Sequence, residues 1–229
     1  MPYVSGLVEL CVRQPFCTTA IEQYIHEHEM DSESVTRAAI LVCYHGSWSY
    51  GDYLDLNDRE PLPQELCTYR WDVLFHTLIQ NGLDANLTVH DTGCCYTDIL
   101  EPLQFLDDGD LAAKILRDLL VHGGNPNRLI DGEPFFEEVD STLATDISLG
   151  LFETKTQLDR AVRFWLVLMG FGGTIRNLSC PVKLYGDYQL SDFQEYERFD
   201  YRITYETGKR QLIILEKDTI AATCDFSYE

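Results

Sequence analysis

Residues 119–127 read "LLVHGGNPN". Two leucines run into two glycines and Asn-Pro-Asn, and Asp131-Gly132-Glu133-Pro134 follows close behind. Two readings compete: a glycine loop that cradles a phosphate, or the end of a helix turning back on itself. A phosphate loop needs its glycines between a strand and a following helix, closing on Gly-Lys-Ser/Thr. Here a helical pattern precedes the glycines and no lysine follows within reach. "GFGG" at 170–173 fails likewise, having no strand before it. The stretch reads as a bend.

The bend has relatives. "LIQNGLDAN" (78–86) lies upstream and "LVLMGFGGT" (166–174) downstream. Each opens on large aliphatics, reaches Gly four residues after the first, and ends on a small polar residue four later. The segments before them carry helical periodicity. Trp71, Leu74, Phe75, Leu78 and Ile79 follow the i, i+3, i+4, i+7, i+8 rule. So do Ala112, Ile115, Leu116, Leu119 and Leu120, and again Leu158, Ala161, Val162, Trp165 and Leu166. Gly82, Gly123 and Gly170 are expected to end these helices in the left-handed conformation that glycine adopts without steric cost.

Glu-Pro and an apolar residue recur as "EPLPQEL" (60–66), "EPLQFLD" (101–107) and "EPFFEEV" (133–139). Proline suits the first turn of a helix, where its missing N–H would have no partner. Pro61 to Gly82 and Pro102 to Gly123 are both 21 residues, and both markers advance by 41. Gly123 to Pro134 and Gly170 to Pro181 are both 11, and Pro15 to Gly46 reads as a looser earlier copy. The unit is proline, short helix, turn, second helix, glycine, excursion, with insertions expected as loops at 87–99 and 140–155. Such self-similarity is the signature of a solenoid.

The C-terminal segment follows another period. "FDYRITYE" (199–206), "RQLIILE" before Lys217, and "TIAATCDF" (219–226) alternate every second residue. They predict a three-stranded antiparallel meander with turns at Thr207-Gly208-Lys209 and Lys217-Asp218. Its expected role is to cap the last repeat, with a partner-binding sheet as the alternative.

"LLVHGGNPNRLIDGEPFF" (119–136) resembles the ankyrin repeat, in which two leucines, Gly, a small residue, Asp/Asn, a variable residue and Asn precede Asp-Gly and Thr-Pro-Leu-His. "LIQNGLDAN" matches the first half equally well. The resemblance covers 60–185 most clearly. Glu133-Pro134-Phe135-Phe136 and Glu101-Pro102-Leu103-Gln104 replace the last tetrapeptide, so its His and that residue's usual hydrogen bond are missing. The spacing of 41 exceeds the family's ~33, and Thr174 stands where Asn is usual. The resemblance implies protein binding through a concave face of hairpin tips and first helices, without catalysis. The fold expected is mainly α: an ankyrin-like helical-hairpin solenoid over 1–195 with a small antiparallel β-meander at 196–229.

Composition narrows the partner. Thirty-eight acidic against 17 basic residues give a formal charge of −21, with a pI near 4.4. Such a surface repels nucleic acid and anionic membrane and attracts basic proteins. The N-terminus has no secretory pattern, and "FWLVLMGFGG" (164–173) is too short to span a bilayer. Eight cysteines without a Cys-x-x-Cys pair are expected as reduced thiols in a cytoplasm.

No motif asks for a cofactor or metal. In "HEHE" (26–29) the histidines are about 200° apart on a helix and cannot share a face. His90, Cys94 and Cys95 lack a fourth zinc ligand nearby. The expectation is a non-enzymatic binder of a basic protein. Candidate contact residues are Trp48, Tyr50 and Tyr53 in "GSWSYGDY" (46–53), Asn86, His90 and Asp91, and Asn127, Arg128 and Asp131. An inhibitor or immunity factor against a cationic toxin or nucleic-acid enzyme is one alternative. An enzyme with its site where repeats meet meander is another, and a self-assembling structural protein a third.

Overall fold

Eight α-helices, a four-stranded antiparallel sheet, a two-stranded hairpin and a 3₁₀ segment make up the regular structure among the described residues. The computed structural model describes residues 2–15, 17–46, 71–89, 99–103, 109–130, 133–152, 154–173, 181–206 and 209–227. Two compact units divide the chain, Met1–Gly124 and Asn125–Glu229. The division falls inside "LLVHGGNPN", and the sheet shares its unit with two long helices.

The first unit contains α1 (Pro2–Arg13), α2 (Thr18–Glu27), α3 (Ser32–Gly46), α4 (Trp71–Gln80), α5 (Leu100–Leu103) and α6 (Gly109–Val121). α1 packs on α3, α2 on α4, and α4 on α6. The periodic positions fill the core: Trp71, Leu74, Phe75 and Leu78 on α4, and Ala112, Ile115, Leu116, Leu119 and Leu120 on α6. Asp31 caps α3, its Oδ1 accepting the Ser34 N–H at 2.8 Å. The Ser34 hydroxyl, and after it that backbone bond, holds the Asp31 carboxyl below its usual pKa. Cys11, Cys17 and Cys43 are free thiols here, as is Cys224 in the second unit. Burial pushes Cys11 up to about 12.

In the second unit β1 (Leu129–Ile130) and β2 (Glu133–Pro134) form a small hairpin ahead of α7 (Phe135–Leu149) and α8 (Lys155–Gly170). The stretch 140–149, expected to loop out, continues α7. Phe136, Val139, Asp140, Leu143, Ala144 and Ile147 are buried at helical spacing, so the added residues lengthen a helix that packs along its whole apolar stripe. α7 ends at Gly150 in the left-handed conformation (φ 68°). α8 opens on a capping box in which Thr154 and Gln157 exchange side-chain and backbone bonds.

The expected meander is present as β4 (Phe199–Glu206), β5 (Lys209–Glu216) and β6 (Thr219–Ser227). A fourth strand, β3 (Val182–Leu184), adds to β6 and gives the order β3-β6-β5-β4. Three residues are too few for an alternation to show in sequence. Register aligns Ile203, Leu212, Cys224 and Val182 in one row and Tyr201, Ile214, Ala222 and Leu184 in the next. α7 packs on β6, and a 3₁₀ segment, Leu190–Arg198, packs along α8. Arg210 on β5 donates to the Ile147 carbonyl at the end of α7, placing a cation where the helix dipole favours one.

Candidate functional site

Three turns repeat one set of hydrogen bonds. After α4, Leu83 N–H donates to the Leu78 carbonyl and Gly82 N–H to Ile79. After α6, Gly124 donates to Leu119 and Gly123 to Leu120; after α8, Gly173 donates to Leu168 and Gly172 to Met169. This is the Schellman closure of a helix, which needs a left-handed residue at its centre. That residue is Gly82 (φ 106°), Gly123 (φ 101°) and Gly172 (φ 89°).

Gly170, predicted to end the third helix in the left-handed conformation, is the last residue of α8 but is not left-handed. A Cβ there would lie 2.5 Å from the Gln194 nitrogen and 2.7 Å from the Phe193 carbonyl carbon. Its glycine permits a backbone crossing, and the turn comes two residues later. Leu168, rather than Leu166, is therefore the counterpart of Leu78 and Leu119.

Beyond each glycine the chain turns on its own side chains. Asp84 Oδ1 accepts the Asn86 N–H at 2.8 Å, and Asn125 Oδ1 accepts the Asn127 N–H at 2.9 Å. Asn86 then donates its amide to the Gly123 carbonyl at 2.9 Å within the first unit. Asn127 donates to the Gly172 carbonyl at 2.9 Å within the second. Each asparagine thus ties one of these turns to the left-handed glycine of the next of the three. Asn86→Ala and Asn127→Ala should each cost about 1 kcal/mol in urea unfolding. Asn→Asp should cost more, because a carboxylate cannot donate to a carbonyl; an Asp variant as stable as the parent would refute the interlock.

A polar ladder joins α4 to α6. Lys114 donates to Asp72 at 2.6 Å, His76 meets Asp118 at 2.9 Å, and Gln80 meets His122 at 3.1 Å. All three pairs are 42 residues apart, so the two helices run parallel. Burial raises the Asp72 carboxyl, and the Lys114 ammonium with the Val73 N–H outweighs it, leaving its pKa below the ordinary value. In the sequence these are unrelated polar residues; the register between the helices makes them a ladder.

Of the predicted contact residues, Asn86 and Asn127 lie at equivalent turn positions and commit their amides to the scaffold. Arg128 is only 7% exposed; it sits at the hairpin base, where its carbonyl accepts the Phe135 N–H at 2.9 Å. Its side chain does not face outward as expected. Trp48, Tyr50, Tyr53, His90, Asp91 and Asp131 lie outside the described residues. Missed by the sequence reading was Leu129, 59% exposed on the hairpin. Among the described residues no group of three or more His, Cys, Asp or Glu is placed to hold a metal, and no helix is long and apolar enough to cross a membrane.

No family model matches the chain, and neither a curated protein nor a solved structure matches it.

Proposed function

We propose that the chain is a protein-binding module built on degenerate ankyrin-like repeats, acting in a cytoplasm without catalysis and taking a basic protein as partner. The observation that carries this reading is the recurrence of one interlocked turn: the same closure, the same Asx turn and the same Asn-to-Gly bond. Repetition of that kind serves to extend a rigid surface, which is the use solenoids make of it.

Charge supplies the partner's chemistry. Residues through Gly124 include 20 acidic and only 6 basic side chains, against 18 and 11 afterwards. The excess therefore gathers in the unit that holds the α4/α6 ladder. Glu22, Glu27 and Glu29 stand exposed on α2 and the turn after it. Were the partner a toxin or nucleic-acid enzyme with a cationic cleft, the same surface would make this chain its inhibitor.

Affinity capture from the native cell, followed by titration of the partner identified, tests the reading. Affinity should fall at least about tenfold between low and high salt, as screening removes the attraction between surface charges. Reversing Glu22, Glu27 and Glu29 to lysine should weaken it in the same sense. Affinity indifferent to salt would sink the proposal.

A further inference from the structure

The two edges of the sheet differ in a way that points outward. β3 is an edge of three residues carrying exposed Lys183, and short, lysine-bearing edges resist further pairing. β4 forms the opposite edge, pairs flush with β5 over all eight residues without a bulge, and contains neither proline nor lysine. The Phe199 N–H donates to the Tyr196 carbonyl, and the rest of β4's outer row of N–H and C=O groups meets no other strand among the described residues. On one face it exposes Asp200 and Arg202, two residues apart. Neither has an ion-pair or hydrogen-bond partner among the described residues.

We propose that β4 is the seam of a homodimer, in which two copies pair antiparallel about Tyr201 and join their sheets. This register sets Asp200 opposite Arg202 of the other copy, twice, and Phe199 opposite Ile203. The neighbouring registers fail on charge: centring the pair on Arg202 opposes two guanidinium groups, and centring it on Asp200 opposes two carboxylates. Opposite charges across a strand pair stabilise it and like charges destabilise it. The continuous sheet requires paired residues to share a face, and Asp200 and Arg202 do. Repulsion between two chains of charge −21 is damped at physiological salt, where the screening length is about 8 Å.

Sedimentation equilibrium of the full chain at about 0.15 M salt tests the seam. The mass should rise from 26.3 kDa toward twice that value across roughly the micromolar to sub-millimolar range. Asp200→Arg or Arg202→Asp alone should raise the dissociation constant about tenfold or more, and the double exchange should bring it back within about threefold. Hydrogen exchange on the unaltered protein gives a readout independent of variant folding: the Tyr201 and Ile203 amides should slow as concentration rises. A single-chain mass throughout, a dimer indifferent to the single reversals, or edge amides unaffected by concentration would each overturn the proposal.

Discussion

Gly170→Ala should destabilise the second unit by about 3 kcal/mol, the upper range for forcing a methyl into a packed site. The atoms that block the new methyl are backbone, the Gln194 nitrogen and Phe193 carbonyl carbon, and neither can rotate aside. The 3₁₀ segment would have to lift off α8. That would stretch the bond from the Gln194 amide to the Gly170 carbonyl, now 3.0 Å, and uncover Phe193 and Tyr196, both essentially inaccessible. Gly172→Ala supplies the contrast. Nothing lies within 4 Å of its added Cβ, but its φ is 89°, so the expected cost is about 1–2 kcal/mol of backbone strain. Asparagine, which tolerates the left-handed region, should be the milder substitution at 172 and severe at 170. Urea unfolding of the four variants decides the matter: were Gly170→Asn mild and Gly172→Asn severe, the turn would be centred on Gly170 after all.

Asp140→Ala should cost about 2–3 kcal/mol, the penalty for leaving a buried donor without an acceptor. Trp165 donates its indole N–H to Asp140 Oδ1 at 2.9 Å, and both residues are nearly inaccessible, at 1% and 2%. The bond ties α7 to α8. Asp140→Asn keeps an acceptor and should cost distinctly less. Trp165→Phe removes the donor and leaves a void, adding packing loss to the lost bond. A double-mutant cycle on Asp140→Ala and Trp165→Phe should show coupling of about 1–2 kcal/mol in thermal or urea unfolding. Additive effects would mean that the bond contributes nothing of its own.

These two sites also show where reading the sequence stops. The match of "LVLMGFGGT" to the earlier bends rests on the spacing of two aliphatics and a glycine. With a glycine pair beginning two residues after Gly170, the string satisfies that pattern in two registers. Which glycine turns depends on the 3₁₀ segment, which passes α8 some 24 residues further along the chain. Likewise 140–155 reads as an insertion because it breaks the repeat spacing, although Val139, Leu143 and Ile147 carry helical periodicity. Arg128 reads as a hairpin-tip cation from its neighbours, and only packing shows it buried. For Asn86 and Asn127, whether the side-chain amide is free or engaged depends on a carbonyl 37 or 45 residues away.

The sequence by itself determined what short-range physics controls. Helices at 71–80 and 109–121 follow from apolar spacing, their ends at Gly82 and Gly123 from the one residue type that turns left-handed freely, and the strands of 199–227 from alternation. Side chains within a few residues of one another settle each of these. Tertiary structure decided the rest: the choice of Gly172 over Gly170, the fourth strand, the burial of Arg128 and the 42-residue ladder between α4 and α6. Each depends on a neighbour tens of residues distant, brought into contact only once the apolar faces have packed.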